Sequence, residues 1–142
     1  MWLYNGQPIG PEDISPDYIG FVYKITNLVS GKIYIGKKAL LFKRTRKTKG
    51  KRIKKVVQSD WTTYYGSNKE LNEERLLLGD DKFRREILKF CRTKGEANYW
   101  EAKFIFQEDA ILKDNYYNGW ISIKVATNHL PKNSSESSIS PS

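Results

Sequence analysis

The chain is poor in the residues that build crosslinks and metal clusters. Its 142 residues include one cysteine, Cys91, and one histidine, His129. A lone cysteine cannot form an internal disulfide, and a lone histidine cannot form a His-ligated zinc centre. Cys91 follows Phe90 at the end of a strand-like run, which favours a buried structural thiol over a nucleophile. These shortages predict a reduced, intracellular protein whose chemistry depends on other side chains.

Long apolar segments are missing as well. No run approaches the roughly 20 apolar residues that span a bilayer. Residues 1–17 lack the basic and apolar regions of a secretory signal. We therefore expect no membrane partner and a cytoplasmic location. The length predicts one domain with a modest core, over residues 20–130. The prolines of residues 1–19 predict an irregular N-terminal arm, and the serines of residues 131–142 predict a disordered tail.

Positive charge, by contrast, is concentrated in one place. Residues 43–55 hold nine of the 25 basic residues and no acid, and the other sixteen basic residues balance the sixteen acids. The whole net charge of +9 therefore belongs to this segment. Such a run neutralises phosphates and gains from counterion release, which indicates a nucleic-acid partner. Its glycine and two threonines favour a flexible loop over a helix. A solvated surface or a nuclear localisation signal is the alternative interpretation.

Two alternating runs predict a β-hairpin. Tyr23 lies in GFVYKI (20–25) and Tyr34 in KIYIGKK (32–38), with turn-forming residues 27–31 between them. The hairpin can carry both phenols toward one surface, although the sequence does not give the register. Tyrosine and isoleucine also have high β propensity, so simple sheet packing would produce the same pattern.

Two helices and a third strand are predicted downstream. Ser67 and Glu70 form a capping box for a helix over residues 68–78, which Gly79 can terminate. The run FRREILKF (83–90) reads as a strand.

The second helix should carry an apolar face. Thr93 and Glu96 form a capping box that opens a helix over residues 94–109, with Glu101 at the edge of its apolar face. Ala97, Trp100 and Phe104 are predicted to share that face, and the spacing leaves Glu108 open as a fourth member.

This ordered set of features resembles the GIY-YIG nuclease family. Tyr34-Ile35-Gly36 matches the family's second signature intact, and the first falls on Phe21-Val22-Tyr23 with its glycine displaced to Gly20. Arg44 follows Gly36 by eight residues, where the family has an arginine on a helix. The matching glutamate and closing asparagine are Glu101 and Asn118. The resemblance covers about residues 20–120. It implies an α/β (α+β) fold, with a three-stranded antiparallel sheet flanked by helices and the basic segment 43–55 as an insertion.

The resemblance also implies a metal-dependent DNA endonuclease of phage or mobile-element origin. If a phage encodes the chain, the expected cytoplasm is that of a bacterial host cell. Tyr23 would act as the base or orient the attacking water, with Tyr34 beside it. Arg44 would contact the scissile phosphate, Glu101 would hold one divalent cation, and Asn118 would brace the site. Hard oxygen ligands and retained waters suit Mg²⁺. A free phenol has a pKa of about 10, so a base role requires a positive neighbour.

Further residues are expected to contact double-stranded DNA. Arg46 and Arg52 are alternatives to Arg44 at the phosphate. Tyr64 or Tyr65, in a segment that is similar to phage-encoded members, either lines the cleft or packs under a helix. The expected nucleic-acid contacts are Lys37, Lys38, Arg46, Lys47, Lys49, Lys51, Arg52, Lys54 and Lys55.

Two other functional classes stay open at this stage. The chain could be a non-catalytic nucleic-acid-binding module that kept the fold, or an assembly protein whose basic segment meets an acidic partner. The ordered set that includes Glu101 favours the enzyme, because a pure binder has no need of that carboxylate. We expect DNA specificity to come from the basic segment, the N-terminal arm, a homodimer or a partner.

Overall fold

The computed structural model describes residues 1–48, 50–108 and 114–118, with only the backbone described along 43–48 and 51–55. Three short 3-10 segments, Pro11–Asp13, Trp61–Thr63 and Asp80–Lys82, join the regular elements. The strands and helices, in chain order, are β1 Trp2–Tyr4, β2 Gln7–Ile9, β3 Gly20–Asn27, β4 Ile33–Ala39, β5 Leu41–Thr48, β6 Lys51–Gln58, α1 Lys69–Leu78, β7 Phe83–Cys91 and α2 Lys94–Gln107.

The two tyrosine-bearing runs form the predicted hairpin. β3 and β4 are antiparallel, with Tyr23 opposite Gly36 and Ile25 opposite Tyr34. The Asn27 side-chain oxygen accepts hydrogen bonds from the N–H groups of Val29 (2.9 Å) and Ser30 (3.2 Å), which fixes the turn. The predicted third strand is β7, which pairs antiparallel with β3.

The sheet is larger than predicted. It has five strands in the order β2-β1-β7-β3-β4, and β1 runs parallel to β7, so the prediction of a three-stranded antiparallel sheet is wrong. The α+β class holds. The segment expected to be an irregular arm supplies the two extra strands, because β1 pairs with β7 through backbone groups that any sequence carries. Trp2 is 2% exposed, and its indole N–H donates to the Trp61 carbonyl oxygen at 2.7 Å. The tail predicted for residues 131–142 lies outside the described residues.

The basic segment is also ordered differently from the prediction. Instead of a flexible loop, it forms a separate two-stranded antiparallel sheet, β5–β6, which we call the basic ribbon. Gly50 (φ +75°) is a turn residue between the strands, where its freedom in the left-handed region is used. The pairing runs from Leu41 opposite Gln58 to Thr48 opposite Lys51.

Both helices begin with a side-chain cap, but one cap is displaced from its predicted position. Asn68, not Ser67, caps α1, because its Oδ1 accepts from the Leu71 N–H at 3.0 Å. Thr93 caps α2 as predicted, with its Oγ1 accepting from the Glu96 N–H at 3.0 Å. In the part of the chain that the structure describes, no helix is long and apolar enough to cross a membrane.

The sheet separates two clusters of buried side chains. On one face an aromatic cluster that includes Tyr23 and Trp61 packs against Leu71 of α1. On the other face α2 covers Val22 and Ile35. The predicted face of α2 packs on this cluster: Ala97 belongs to it, and Trp100 and Phe104 are partly buried against it. The burial of Ala102 and Ile105 was not predicted. The most buried apolar side chains of α2 are Ala97, Ala102 and Ile105.

Candidate active site

Three tyrosines meet on the aromatic face of the sheet. Tyr23 is 1% exposed, and its ring centroid lies 6.1 Å from that of Tyr34 and 6.0 Å from that of Tyr64. Tyr64 arrives from the segment that follows the 3-10 turn Trp61–Thr63. The sequence did not decide whether Tyr64 or Tyr65 lines the cleft. In the structure Tyr64 packs with Tyr23, whereas Tyr65 stacks under the Arg75 and Arg85 guanidinium groups.

Two glycines leave room for the Tyr23 hydroxyl group. A Cβ at Gly36 would stand 2.4 Å from the Tyr23 hydroxyl oxygen and 2.9 Å from Tyr34 Cε2, so any larger residue would displace the rings. Gly66 (φ +84°) borders the same oxygen, with its Cβ position 3.2 Å away. Sequence reasoning singled out Gly36 but not Gly66, although its place directly after Tyr64-Tyr65 is a usable signal.

The surroundings of the phenols favour their neutral forms. Burial is the main cause that raises the pKa of Tyr23 well above its usual value of 10, and Tyr64 and Tyr34 add to the shift. Burial also raises the pKa of Tyr34, against a hydrogen bond with Ser67 that lowers it. Both groups are therefore protonated at neutral pH. In these surroundings Tyr23 is suited to orient a water molecule by hydrogen bonding rather than to act as a phenolate base.

Glu101, on α2, acts on the phenols through its charge. Its negative charge is among the causes that raise the pKa of both Tyr23 and Tyr34, which makes it an electrostatic neighbour of both. Burial raises the pKa of Glu101 itself, and Lys37 partly opposes this shift. Lys37 is held beside α2 because its ammonium group donates to Asn98 Oδ1, one helical turn before Glu101. The site therefore joins phenols, a carboxylate and an ammonium group.

Lys38 lies on the other side of the same strand. Its Nζ is 2.6 Å from Asp60 Oδ1, 4.0 Å from the centroid of the Tyr64 ring and 5.1 Å from that of Phe42. Lys38 thus links the tyrosine cluster to the base of the basic ribbon. Consecutive residues of a strand point to opposite faces, so Lys37 and Lys38 border the site from different directions.

Asn118 supports the backbone of the site rather than its open side. Residues 115–118 run along the free edge of β4, where the Ile33 N–H donates to the Asn115 carbonyl oxygen and the Tyr117 N–H to that of Ile33, both at 2.8 Å. The Asn118 side chain then continues the ladder with two hydrogen bonds to Ile35. Since Ile35 separates Tyr34 from Gly36, Asn118 fixes the strand that carries both.

Arg44 does not lie on the helix that the family resemblance implied. Arg44 lies on strand β5, opposite Lys55, and not on a helix, because the chain continues into the basic ribbon directly after the hairpin. Its alternatives Arg46 and Arg52 lie on the same ribbon, as do the backbone positions of Lys47, Lys51, Lys54 and Lys55. Lys49 lies outside the described residues. The structure brings Tyr23, Tyr34, Glu101, Lys37, Lys38 and Asn118 to β4 or its immediate surroundings.

The donor set can be compared with what a divalent cation requires. Within the described ranges, no three or more His, Cys, Asp or Glu side chains group together as a metal site. Glu101 is a partly buried carboxylate whose charged form is disfavoured by burial, so a cation beside it would relieve that cost. Mg²⁺ commonly uses one or two carboxylates and keeps several waters. The residues present would therefore suit a largely hydrated Mg²⁺, which Glu101 would hold.

Comparison with known proteins agrees with the resemblance. The family described as "Putative endonuclease segE, GIY-YIG domain" matches residues 2–121. The chain is also 34% identical, over 98 residues, to "Putative endonuclease segE" of Enterobacteria phage T4. This alignment covers 69% of the chain and 39% of the phage protein, so the chain matches well under half of that relative's length. No solved structure matches.

The chain belongs to the GIY-YIG domain family of segE. Membership supports a nuclease function in general. The family match begins at residue 2, whereas the resemblance read from the sequence began at about residue 20, and this earlier start agrees with the pairing of β1 in the sheet.

Proposed function

We propose that this chain is a metal-dependent endonuclease that hydrolyses phosphodiester bonds in double-stranded DNA. The observation that carries the proposal is that the Tyr23 and Tyr34 rings meet beside Gly36, where the Glu101 charge acts on both phenols. Phosphodiester hydrolysis needs an oriented water, neutralisation of charge on the phosphate and stabilisation of the leaving oxygen. The three groups can serve these requirements from one edge of the sheet.

Each described residue has a proposed task. Tyr23, protonated and almost fully buried, orients the attacking water with its hydroxyl group, and Tyr34 shares this task at a more accessible position. Glu101 holds the cation. When bound, Mg²⁺ supplies positive charge that stabilises the phosphate and the leaving oxygen.

Charge neutralisation at the phosphate is shared with basic side chains. Lys37, on β4, lies beside Glu101. It can contact a phosphate oxygen while it keeps its hydrogen bond to Asn98 of α2. Lys38 is paired with Asp60 and is better suited to hold the ribbon than to bind substrate. Arg44, whose backbone lies on β5, remains the arginine that the family resemblance proposes for the scissile phosphate.

The phage relative supports a proposal about origin. Since "Putative endonuclease segE" belongs to Enterobacteria phage T4, we propose that this chain also serves a phage or related mobile element. Its substrate would then be encountered in the cytoplasm of a bacterial host. Whether one or both strands are cut follows from the product, since a nicked circle and a linear duplex are separable by gel electrophoresis.

The decisive experiment is plasmid cleavage. Purified protein should convert supercoiled plasmid to nicked or linear DNA with Mg²⁺, and EDTA should stop the reaction. Glu101→Gln should abolish cleavage and leave DNA affinity nearly unchanged, because it removes a cation ligand and no phosphate contact. Glu73→Gln on the exposed side of α1 is the matched control and should cleave as the wild type does.

The competing function predicts a different outcome. A non-catalytic DNA-binding module would bind duplex DNA with the expected salt dependence but leave the plasmid supercoiled at every Mg²⁺ concentration. Cleavage by Glu101→Gln at the wild-type rate would remove Glu101 from the mechanism and leave the nuclease without its proposed metal ligand.

A further inference from the structure

The basic ribbon has a distribution of charge that the sequence alone does not reveal. Eight of its nine basic residues lie on β5 and β6, and the strand register decides which of them share a face. In an antiparallel pair, directly opposite residues lie on the same face, and the faces alternate along each strand.

The register places equal charge on the two faces. One face contains the opposed pairs Lys43–Val56, Thr45–Lys54 and Lys47–Arg52, and the other contains Arg44–Lys55, Arg46–Ile53 and Thr48–Lys51. Four basic positions therefore belong to each face, and neither has an acid. The first set is Lys43, Lys47, Arg52 and Lys54, and the second is Arg44, Arg46, Lys51 and Lys55.

A ribbon charged on both faces is suited to a cleft with two anionic walls. A ribbon that lies flat on a surface uses one face, and a half-buried sheet has one apolar face. The major groove of duplex DNA is about 12 Å wide, has a phosphate backbone on each side, and admits a two-stranded β-ribbon. Strands of eight residues extend roughly 26 Å at the usual rise, enough to reach into a groove and along it.

The base of the ribbon is fixed to the candidate active site. The Ser59 hydroxyl donates to the Ala39 carbonyl oxygen at 2.5 Å, and the Ser59 N–H donates to Leu40 at 2.9 Å. Lys38 adds its ion pair with Asp60 and its contact with the Phe42 ring. Since Ala39 ends the strand that carries Tyr34 and Gly36, a duplex held by the ribbon is held at a defined position relative to the tyrosines.

We propose that the basic ribbon inserts into the major groove of duplex DNA and contacts phosphates of both strands, one strand through each face. The inference rests on the proposed function for the identity of the partner and adds the groove, the two-sided contact and the link to the active site. The ribbon thereby positions the duplex for cleavage and does more than raise its local concentration.

The test uses two charge-matched variants. One replaces Lys43, Lys47, Arg52 and Lys54 by Gln, and the other replaces Arg44, Arg46, Lys51 and Lys55 by Gln. Duplex affinity is measured against salt concentration without Mg²⁺. Each phosphate contact contributes about 0.9 to the log–log slope, so each variant should flatten the slope by a similar amount, up to about 3.6. A change confined to one variant would show one-sided binding and overturn the proposal, as would no change in either.

Groove choice is tested separately with small-molecule competitors. Methyl green, which occupies the major groove, should displace the protein from the duplex, whereas netropsin in the minor groove should not. The reverse pattern would overturn insertion into the major groove. Far-ultraviolet circular dichroism checks that both variants fold, and single-pair variants at Lys47–Arg52 and Arg44–Lys55 replace any that does not.

The outcomes separate this inference from the proposed function. If the wild type never cleaves plasmid but both faces contribute equally to binding, the nuclease proposal fails and the ribbon proposal stands. If the wild type cleaves but only one face contributes, the ribbon proposal alone fails.

Discussion

The Asn118 side-chain amide exchanges two hydrogen bonds with the backbone of Ile35, accepting from its N–H at 3.0 Å and donating to its carbonyl oxygen at 2.8 Å. A side chain here takes the place of a neighbouring strand. β4 is the edge strand of its sheet, and its backbone groups at Ile35 lie between Tyr34 and Gly36. The amide thus fixes the one stretch of edge strand on which the phenol geometry depends.

Replacement of Asn118 by Ala should lower activity more than it lowers the melting temperature. Two buried backbone groups lose their partners, at a cost of about 1–3 kcal/mol each, before relaxation and water entry reduce it. A small shift of Tyr34 and Gly36 should reduce cleavage by about 10- to 100-fold. Thr93→Ala, which removes the α2 cap at a cost of about 1 kcal/mol, is the stability control and should retain activity per folded molecule. Equal losses of activity and stability in Asn118→Ala would make Asn118 purely structural.

Gly36→Ala should disrupt the site through direct overlap. The added Cβ would stand 2.4 Å from the Tyr23 hydroxyl oxygen, so the ring or the strand must move, at a cost of about 1–3 kcal/mol. Cleavage should fall below detection while the protein still folds. Gly31→Ala is the matched control, since Gly31 has φ +79° and nothing within 4 Å of its Cβ position. It should show backbone strain of about 1 kcal/mol and normal activity. An active Gly36→Ala enzyme would show that Tyr23 need not stay in place.

Tyr23→Phe tests the hydroxyl group alone. The ring, which is buried among Trp2, Phe21 and Tyr34, keeps its packing, so the melting temperature should change little. The cleavage rate at saturating DNA should fall about 100-fold or more, the scale of a lost proton-transfer or water-orienting group. Tyr18→Phe, on a ring that stacks against Phe90 away from the site, should cleave normally. A Tyr23→Phe rate within a few-fold of the wild type would transfer the role to Tyr34.

Glu101→Gln should stabilise the metal-free protein at neutral pH. Burial raises the folded-state pKa of Glu101 above its unfolded value, so the ionised carboxylate destabilises the fold at pH 7. The contribution of Glu101 to stability is fully present below its unfolded pKa and is lost as pH rises through the folded pKa. The variant should therefore melt higher than the wild type at pH 7. The difference should shrink as pH falls through the raised folded-state pKa and should be gone below the unfolded value of about 4.3. Glu73 lies on the exposed side of α1, so Glu73→Gln is the control for a carboxylate lost outside the site. A lower melting temperature for Glu101→Gln at pH 7 would contradict the prediction.

The Cys91 thiol should report global unfolding. Burial is the main cause that raises its pKa to about 12, and the side chain is 0% exposed. The thiolate is the reactive form, so labelling by a disulfide reagent at pH 8 should be blocked in the native protein. The labelling rate should rise with urea in parallel with the loss of circular dichroism. Rapid labelling without urea would show local opening of β7.

The local pattern of the sequence was enough to predict several elements correctly. Alternation over residues 20–25 and 32–38 predicted the hairpin, and the Thr93 cap predicted the start of α2, because both signals lie within a few residues of the structure they specify. The concentration of charge in residues 43–55 was also visible directly. The β-ribbon that residues 43–55 form was not visible in the sequence, since glycine and threonine occur in flexible loops and in β-ribbons alike.

The tertiary structure decided what depends on distant partners. Strand β1 has three residues, too few for a periodic signal, and its parallel pairing with β7 is made over more than eighty residues of chain. Arg85 reads as a surface residue, yet it is buried between Trp2 and Tyr65 and donates to the carbonyl oxygens of Thr62 and Tyr64.

The same division holds for the site. The sequence determined which side chains are available, from Tyr23 and Tyr34 to Glu101, because their order and spacing can be matched along the chain. Which of them meet was decided by the fold: Gly66 and Tyr64 reach the Tyr23 ring, and Asn118 reaches Ile35, only because separate segments pack against β3 and β4. Local propensity does not distinguish among these possible contacts, so long-range packing selects them. In the same way, the register of β5 and β6 decides how the basic residues of the ribbon are divided between its two faces.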